Sequence, residues 1–97
     1  MTLDESLMWR GYFAGWPEKL ERRGVAVTAW GEQIVFGDFL MAEHFVMLVR
    51  DVPDANGGRR VILTYGNIAA IKVTAPVGDD IFLESSFVKT VAKAKQK

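Results

Sequence analysis

The sequence predicts a mainly β fold: an N-terminal α-helix, then a small, strongly bent five-stranded open barrel, then a short C-terminal helix. Three observations predict it. Apolar residues recur at four-residue spacing as far as Trp16, and from Val25 the period changes to two. Gly37 falls inside the longest strand-like run, Gln33 to Met41, where a glycine marks a bend or bulge that lets one strand serve two walls. The stretch from Arg59 to Val73, RRVILTYGNIAAIKV, reads as two short strands hinged on Tyr65, Gly66 and Asn67.

Each element has a local reason. Thr2 and Glu5 form a T-x-x-E capping box, Met8, Tyr12 and Trp16 line one stripe of the helix, and Trp9 and Phe13 line the next. Gly11 and Gly15 each weaken this helix by about 1 kcal/mol relative to alanine, which suggests close packing or a short helix that needs the surface it docks on. Pro17 stops the helix and starts a second turn, Glu18 to Arg23, that Gly24 ends. Val25, Val27 and Ala29 then alternate with Ala26, Thr28 and Trp30 in a first strand, and Gly31 with Glu32 turns into the second. Glu43 and His44 turn into a third, Phe45 to Val52. Pro53 to Gly58 contains Asn-Gly, a strong hairpin signal. In the hinged pair, Val61 and Leu63 oppose Ile62, and Ile68 and Ala70 oppose Ala69, Ile71 and Val73. Strands apolar on both faces need cover on both, so the second face is expected to belong to another copy or to a packed helix. Pro76 to Asp80 reads as a loop, and Ser85 or Ser86 as the cap of a closing helix carrying Phe87 and Val91.

Length and composition set the limits. A chain of 97 residues fits one domain, and 49% hydrophobic residues argue for a globular protein. The expected organisation is a single domain over 1–87, with a helical segment at 1–24, the barrel at 25–74 and an extension at 75–87, followed by a Lys-rich tail at 88–97. No cysteine means no disulfide framework and no thiolate zinc site. The start carries Asp4 and Glu5 rather than the basic residues of a signal peptide, and no run is long enough to span a membrane, so a cytoplasmic, soluble protein is expected. The formal charge is zero, but Lys89, Lys93, Lys95 and Lys97 lie together, leaving 8 basic and 12 acidic residues in 1–87, a net of −4. An acidic body is a poor general binder of phosphate.

Catalytic chemistry is sparse. His44 is the only histidine, which excludes multi-histidine metal sites within one chain. Asp79 and Asp80 lack EF-hand spacing, Gly57 and Gly58 lack the lysine and spacing of a phosphate loop, and Ser85 and Ser86 have no partner base nearby. No enzyme activity, metal or cofactor is expected. The paired arginines Arg22 and Arg23, and Arg59 and Arg60, read either as ordinary solubility residues or as phosphate contacts.

Two stretches resemble the Sm-like (LSm/Hfq-type) family. Gly24 to Val52 looks like its first motif: alternating strand, turn glycine, bent strand with an interior glycine, and a strand ending near Asp51. Leu63 to Ile71, LTYGNIAAI, looks like its short second motif. The match covers about half the chain. It implies a homo-oligomeric ring in which the fourth strand of one subunit pairs with the fifth of the next, with single-stranded nucleic acid, RNA or DNA, bound at two pore loops. Those loops correspond here to Glu43 and His44, and to Tyr65, Gly66 and Asn67. The family's Asp-x-x-Met-Asn is absent from the first, and its Arg-Gly is Tyr-Gly in the second. The residues implied for nucleic-acid binding are His44, Tyr65 and Asn67, through stacking and edge recognition, with Arg59, Arg60 and the lysine tail as auxiliary contacts. GEQIVFGD, Gly31 to Asp38, and Ala75-Pro76 also resemble pieces of the carbon-storage-regulator family, which is shorter and lacks the opening helix. The other reading, from the neutral charge and the missing loop arginine, is an oligomeric scaffold or protein-interaction module on the same fold.

Overall fold

A computed structural model describes residues 4–84, 87 and 88. Thr2, Ser85, Ser86, Val91 and the tail lysines, and with them the expected capping box and the cap of the closing helix, lie outside the described residues. The chain is mainly β. Helix α1 (Glu5–Ala14) is followed by β1 (Gly24–Thr28), β2 (Gln33–Phe36), β3 (Asp38–Met41), β4 (Phe45–Val49) and β5 (Arg60–Thr64). A 3-10 turn (Tyr65–Asn67), β6 (Ile68–Lys72) and helix α2 (Asp79–Leu83) complete it.

The residue that caps α1 is Asp4, whose Oδ1 accepts the amide of Ser6 at 2.9 Å. The segment from Glu18 to Arg23 forms turns and bends. There Trp16 Nε1 donates to the carbonyls of Leu20 at 3.1 Å and Glu21 at 3.2 Å, so the chain folds back to satisfy a buried indole.

Among the described residues six strands form two antiparallel three-stranded sheets, ordered β2-β1-β6 and β3-β4-β5, and they close no barrel. The expected open barrel has five strands where the chain forms six, and the cause is local. The long second strand breaks at Gly37, where the Asp51 carboxylate occupies the space a side chain would need, 2.7 Å from the position of a Cβ. Ile34 and Phe36 point inward before the break, and Phe39 after it. Residues 36 and 39 would face opposite ways on a continuous strand, so the break shifts the alternation by one residue and hands the chain from one sheet to the other. β6 carries a second such slip. Ala26 pairs with Ile71 and Thr28 with Ile68, with a register shift between Val27 and Thr28, so Ile68 and Ile71 both face the core. Their placement on opposite alternation sets thus marks a bulge, not a strand covered on both sides.

The core is aromatic. Phe13 and Trp16 from the helical segment meet Phe36 and Phe39, with ring centroids 4.8 Å apart for Phe13–Phe39 and 5.1 Å for Trp16–Phe39. Ala26, Ile34, Val46, Leu48, Tyr65 and Ile68 complete the buried set. The one buried polar side chain among the described residues, Thr28, is satisfied: its Oγ1 accepts the amides of Trp30 and Glu32 and closes the β1–β2 turn. Arg22 pins the outside of the bend. Its Nε donates to Asp38 at 2.8 Å, its Nη2 to the Phe39 carbonyl, and its guanidinium lies 3.7 Å over the Phe39 ring. The predicted Asn-Gly hairpin is present, with the Asp54 carboxylate accepting the amides of Asn56 and Gly58. α2 begins at Asp79, inside the expected loop and ahead of the expected closing helix. No helix among the described residues is long and apolar enough to cross a membrane.

Gly24 lies where β1 crosses close to β6: a Cβ there would sit 2.4 Å from the Lys72 carbonyl oxygen. Gly24→Ala is therefore expected to destabilise the fold by about 1–3 kcal/mol, measured by urea unfolding, because backbone rather than a flexible side chain has to move. Acid is expected to act through two carboxyls. The hydrogen bond from Arg22, then that from the Phe39 amide, holds Asp38 below the usual range, and the Gly58 and Asn56 amides do the same for Asp54. A depressed folded-state value stabilises above the unfolded value of about 3.9 and loses that contribution as pH falls through the folded one. The thermal midpoint is expected to drop below about pH 4, and to drop less in Asp38→Asn, when followed by circular dichroism.

Candidate functional site

The two loops singled out in the sequence meet in space. Ala42 to His44 connect β3 to β4, and Tyr65 to Asn67 connect β5 to β6. Tyr65 joins them: its hydroxyl donates to the Ala42 carbonyl at 2.9 Å. α1 roofs this junction. Phe13 packs near the Tyr65 ring, which is 1% exposed. A groove of about 430 Å³ runs between roof and loops, lined by Asp4, Ser6, Leu7, Arg10, Glu43, His44, Thr64 and Tyr65.

Tyr65 therefore sits differently from the expected stacking platform. Its ring is enclosed in the core, leaving no open face for a base, and only its hydroxyl end reaches the groove wall. Burial raises the phenol's pKa, opposed by the Arg10 guanidinium and then by the hydrogen bond to Ala42. His44 is open, with its side chain 78% exposed and Nε2 3.9 Å from Glu43 Oε1. Asn67 is half-buried, and its carbonyl accepts the Ala29 amide at 2.8 Å, which ties the hinge to the end of β1. Arg59 and Arg60 are exposed at the far end of β5, about 16 Å along the strand from Tyr65. The structure thus brings His44 and Tyr65 together and leaves the arginine pair apart.

Sequence reasoning missed Asp4, Ser6, Leu7, Arg10 and Thr64 as groove residues, and Arg10 and Ser6 bear most on its chemistry. A signal was present: Ser6, Arg10 and Phe13 follow i, i+4, i+7 spacing and share a helix face, so polar groups lie on the stripe that Phe13 buries. Arg10 has no carboxylate partner among the described residues. Of the two acids in the groove, Asp4 is engaged in capping α1 and Glu43 lies beside His44. Among the described residues no cluster of three or more His, Cys, Asp or Glu is placed to hold a metal ion.

No protein-family model, curated protein or solved structure matches the chain. Its own geometry has to carry the functional reading. Chemically, the groove offers one guanidinium, one imidazole, the hydroxyls of Ser6 and Thr64 and two carboxylates around an enclosed tyrosine ring. That set suits hydrogen bonding and anion contact.

Tyr65→Phe is expected to keep the ring packing and remove the strut between the loops. The anticipated cost is about 1 kcal/mol in denaturant unfolding, accompanied by faster amide exchange at Ala42 to Phe45.

Proposed function

We propose that this chain is a non-enzymatic Sm-like subunit that assembles with copies of itself into a ring and binds single-stranded nucleic acid, RNA or DNA, at the groove between α1 and the two loops. The observation that carries the assembly is the strand order. The end strands are β2 and β6 in one sheet and β3 and β5 in the other; β2 and β3 run into each other through the Gly37 bend, and β5 and β6 lie on either side of one three-residue turn. Unpaired strand edges are liabilities unless paired or protected. Pairing β5 of one copy with β6 of the next is head-to-tail, and such a contact makes a ring when its rotation closes. The resemblance of 24–52 and 63–71 to the Sm-like motifs supports the same arrangement.

For the ligand, support comes from the convergence of His44, Ser6 and Arg10 in one groove. Arg10 reaches the site from the helix and supplies the cation that the hinge lacks. His44 stacks on a base or reads its edge, Asn67 contributes from the hinge, and Tyr65 serves as the strut. Arg59 and Arg60 touch phosphates outside the groove. Repetition around a ring multiplies contacts that are weak singly. The scaffold reading keeps a specific observation of its own: Leu40, Phe45 and Ile62 are exposed together on one sheet face of an acidic body.

Fluorescence anisotropy of labelled oligo-U, oligo-A and matched DNA at two salt concentrations, with mass measured on the same samples, tests the proposal. The expected result is a defined oligomer with saturable binding that weakens with salt. Arg10→Ala should lower affinity and flatten the salt dependence by about 0.7 in slope for each phosphate no longer neutralised. An oligomer that binds nothing would leave the scaffold, and a persistent monomer would remove both readings.

A further inference from the structure

We infer that the outward face of α1 in one copy packs across the outward face of the β3-β4-β5 sheet in another, a contact that shares Asp4 and Leu7 with the rim of the groove and is distinct from pairing of strand edges. Two uncovered faces of this chain carry the inference. On the sheet, the register places Leu40 opposite Met47 and Met47 opposite Ile62, with Phe45 one step along the same face. Ile62 is 58% exposed, Leu40 52% and Phe45 46%, and these residues edge an apolar groove of about 230 Å³. An apolar ladder open to water is unusual on a monomer and marks a contact surface.

On the helix, Asp4, Leu7, Met8, Gly11 and Gly15 follow the i, i+3, i+4 spacing of a single face. Leu7 is 60% and Met8 53% exposed. A Cβ placed on Gly11 would meet nothing within 4 Å. Packing inside the chain therefore gives no reason for this glycine, whereas close approach by a second surface does.

Charge selects the helix as the occupant of the sheet. Asp4 and Glu5 stand at the start of α1 beside Leu7 and Met8. Arg60 stands at one end of the ladder, its Nη1 3.7 Å from Met47 Sδ, with Arg59 next to it. Neither arginine has a carboxylate partner among the described residues, while Asp38 on the same face is held by Arg22. An acidic, apolar helix start thus matches a basic, apolar sheet face. The two patches differ, so the contact is head-to-tail.

Sedimentation equilibrium of the full chain tests this with Glu5→Arg, Arg60→Glu, the two combined, and Gly11→Gln. Each charge reversal should weaken self-association about tenfold, and the combination should restore it. Gly11→Gln should raise the melting temperature at low concentration, because glutamine favours a helix, yet weaken association. Near-ultraviolet circular dichroism confirms that each variant keeps its aromatic core. A chain that stays monomeric, reversals that add without rescue, or Gly11→Gln with unchanged association would each overturn the contact. Edge pairing is read separately: if it alone drives assembly, oligomers persist and none of the four variants changes them.

Discussion

The packing of Phe13 and Trp16 against Phe36 and Phe39 is the interaction on which the rest of the molecule depends. Two three-stranded sheets of four- and five-residue strands have little stability apart. They are joined covalently at the Gly37 bend, and the two phenylalanines flanking that bend both turn inward. The helical segment presses its rings into this corner, and burying each large side chain contributes about 1.5–3 kcal/mol. Trp16 then fixes the route of the chain to β1 through its indole hydrogen bonds, and Arg22 fixes the outside of the bend. The position of α1 over the loops follows from this packing. So does the groove: Arg10 reaches Tyr65 because Phe13, three residues on, is locked into the core.

Once that corner is formed, the chain has satisfied one side of each sheet and left the other side to be dealt with. β5 shows the consequence most clearly. Val61 and Leu63 pack toward the core, whereas Ile62 points out into an exposed row with Met47 and Leu40. The same strand is also an edge. An uncovered face and an unpaired edge on one strand both suit a partner of matching shape, and in the proposed assembly a second copy would supply α1 and β6. The proposed assembly is thus the reading toward which the largest number of independent features converge, and the proposed ligand binding rests on it.

Much of this was legible in the residues. The change of period after Trp16, the turn at Gly31, the Asn-Gly hairpin and the hinge at Tyr65 to Asn67 all have local causes, and each lies where local chemistry puts it. The two phase slips were harder. Apolar residues on both alternation sets in Ile68 to Val73 fit a doubly covered strand and a bulged strand equally well, and only the pairing with β1 distinguishes them. Asp4, whose carboxylate caps α1, reads in the sequence only as an acidic residue near the start. Tyr65 was the least legible site residue. A tyrosine in a turn fits stacking as well as strutting, and its role was decided by a helix more than fifty positions earlier in the chain. Arg10 stayed hidden for the same reason: its neighbours in space are remote in sequence.

Concentration-dependent amide hydrogen exchange at β5 and β6 tests the central claim most directly. If these strands pair between copies, the outward-facing amides of Arg60 to Thr64 and Ile68 to Lys72 will become protected as concentration rises, while β1 and β4 amides stay unchanged. Exchange of those edge amides at an unprotected rate at every concentration would contradict the account.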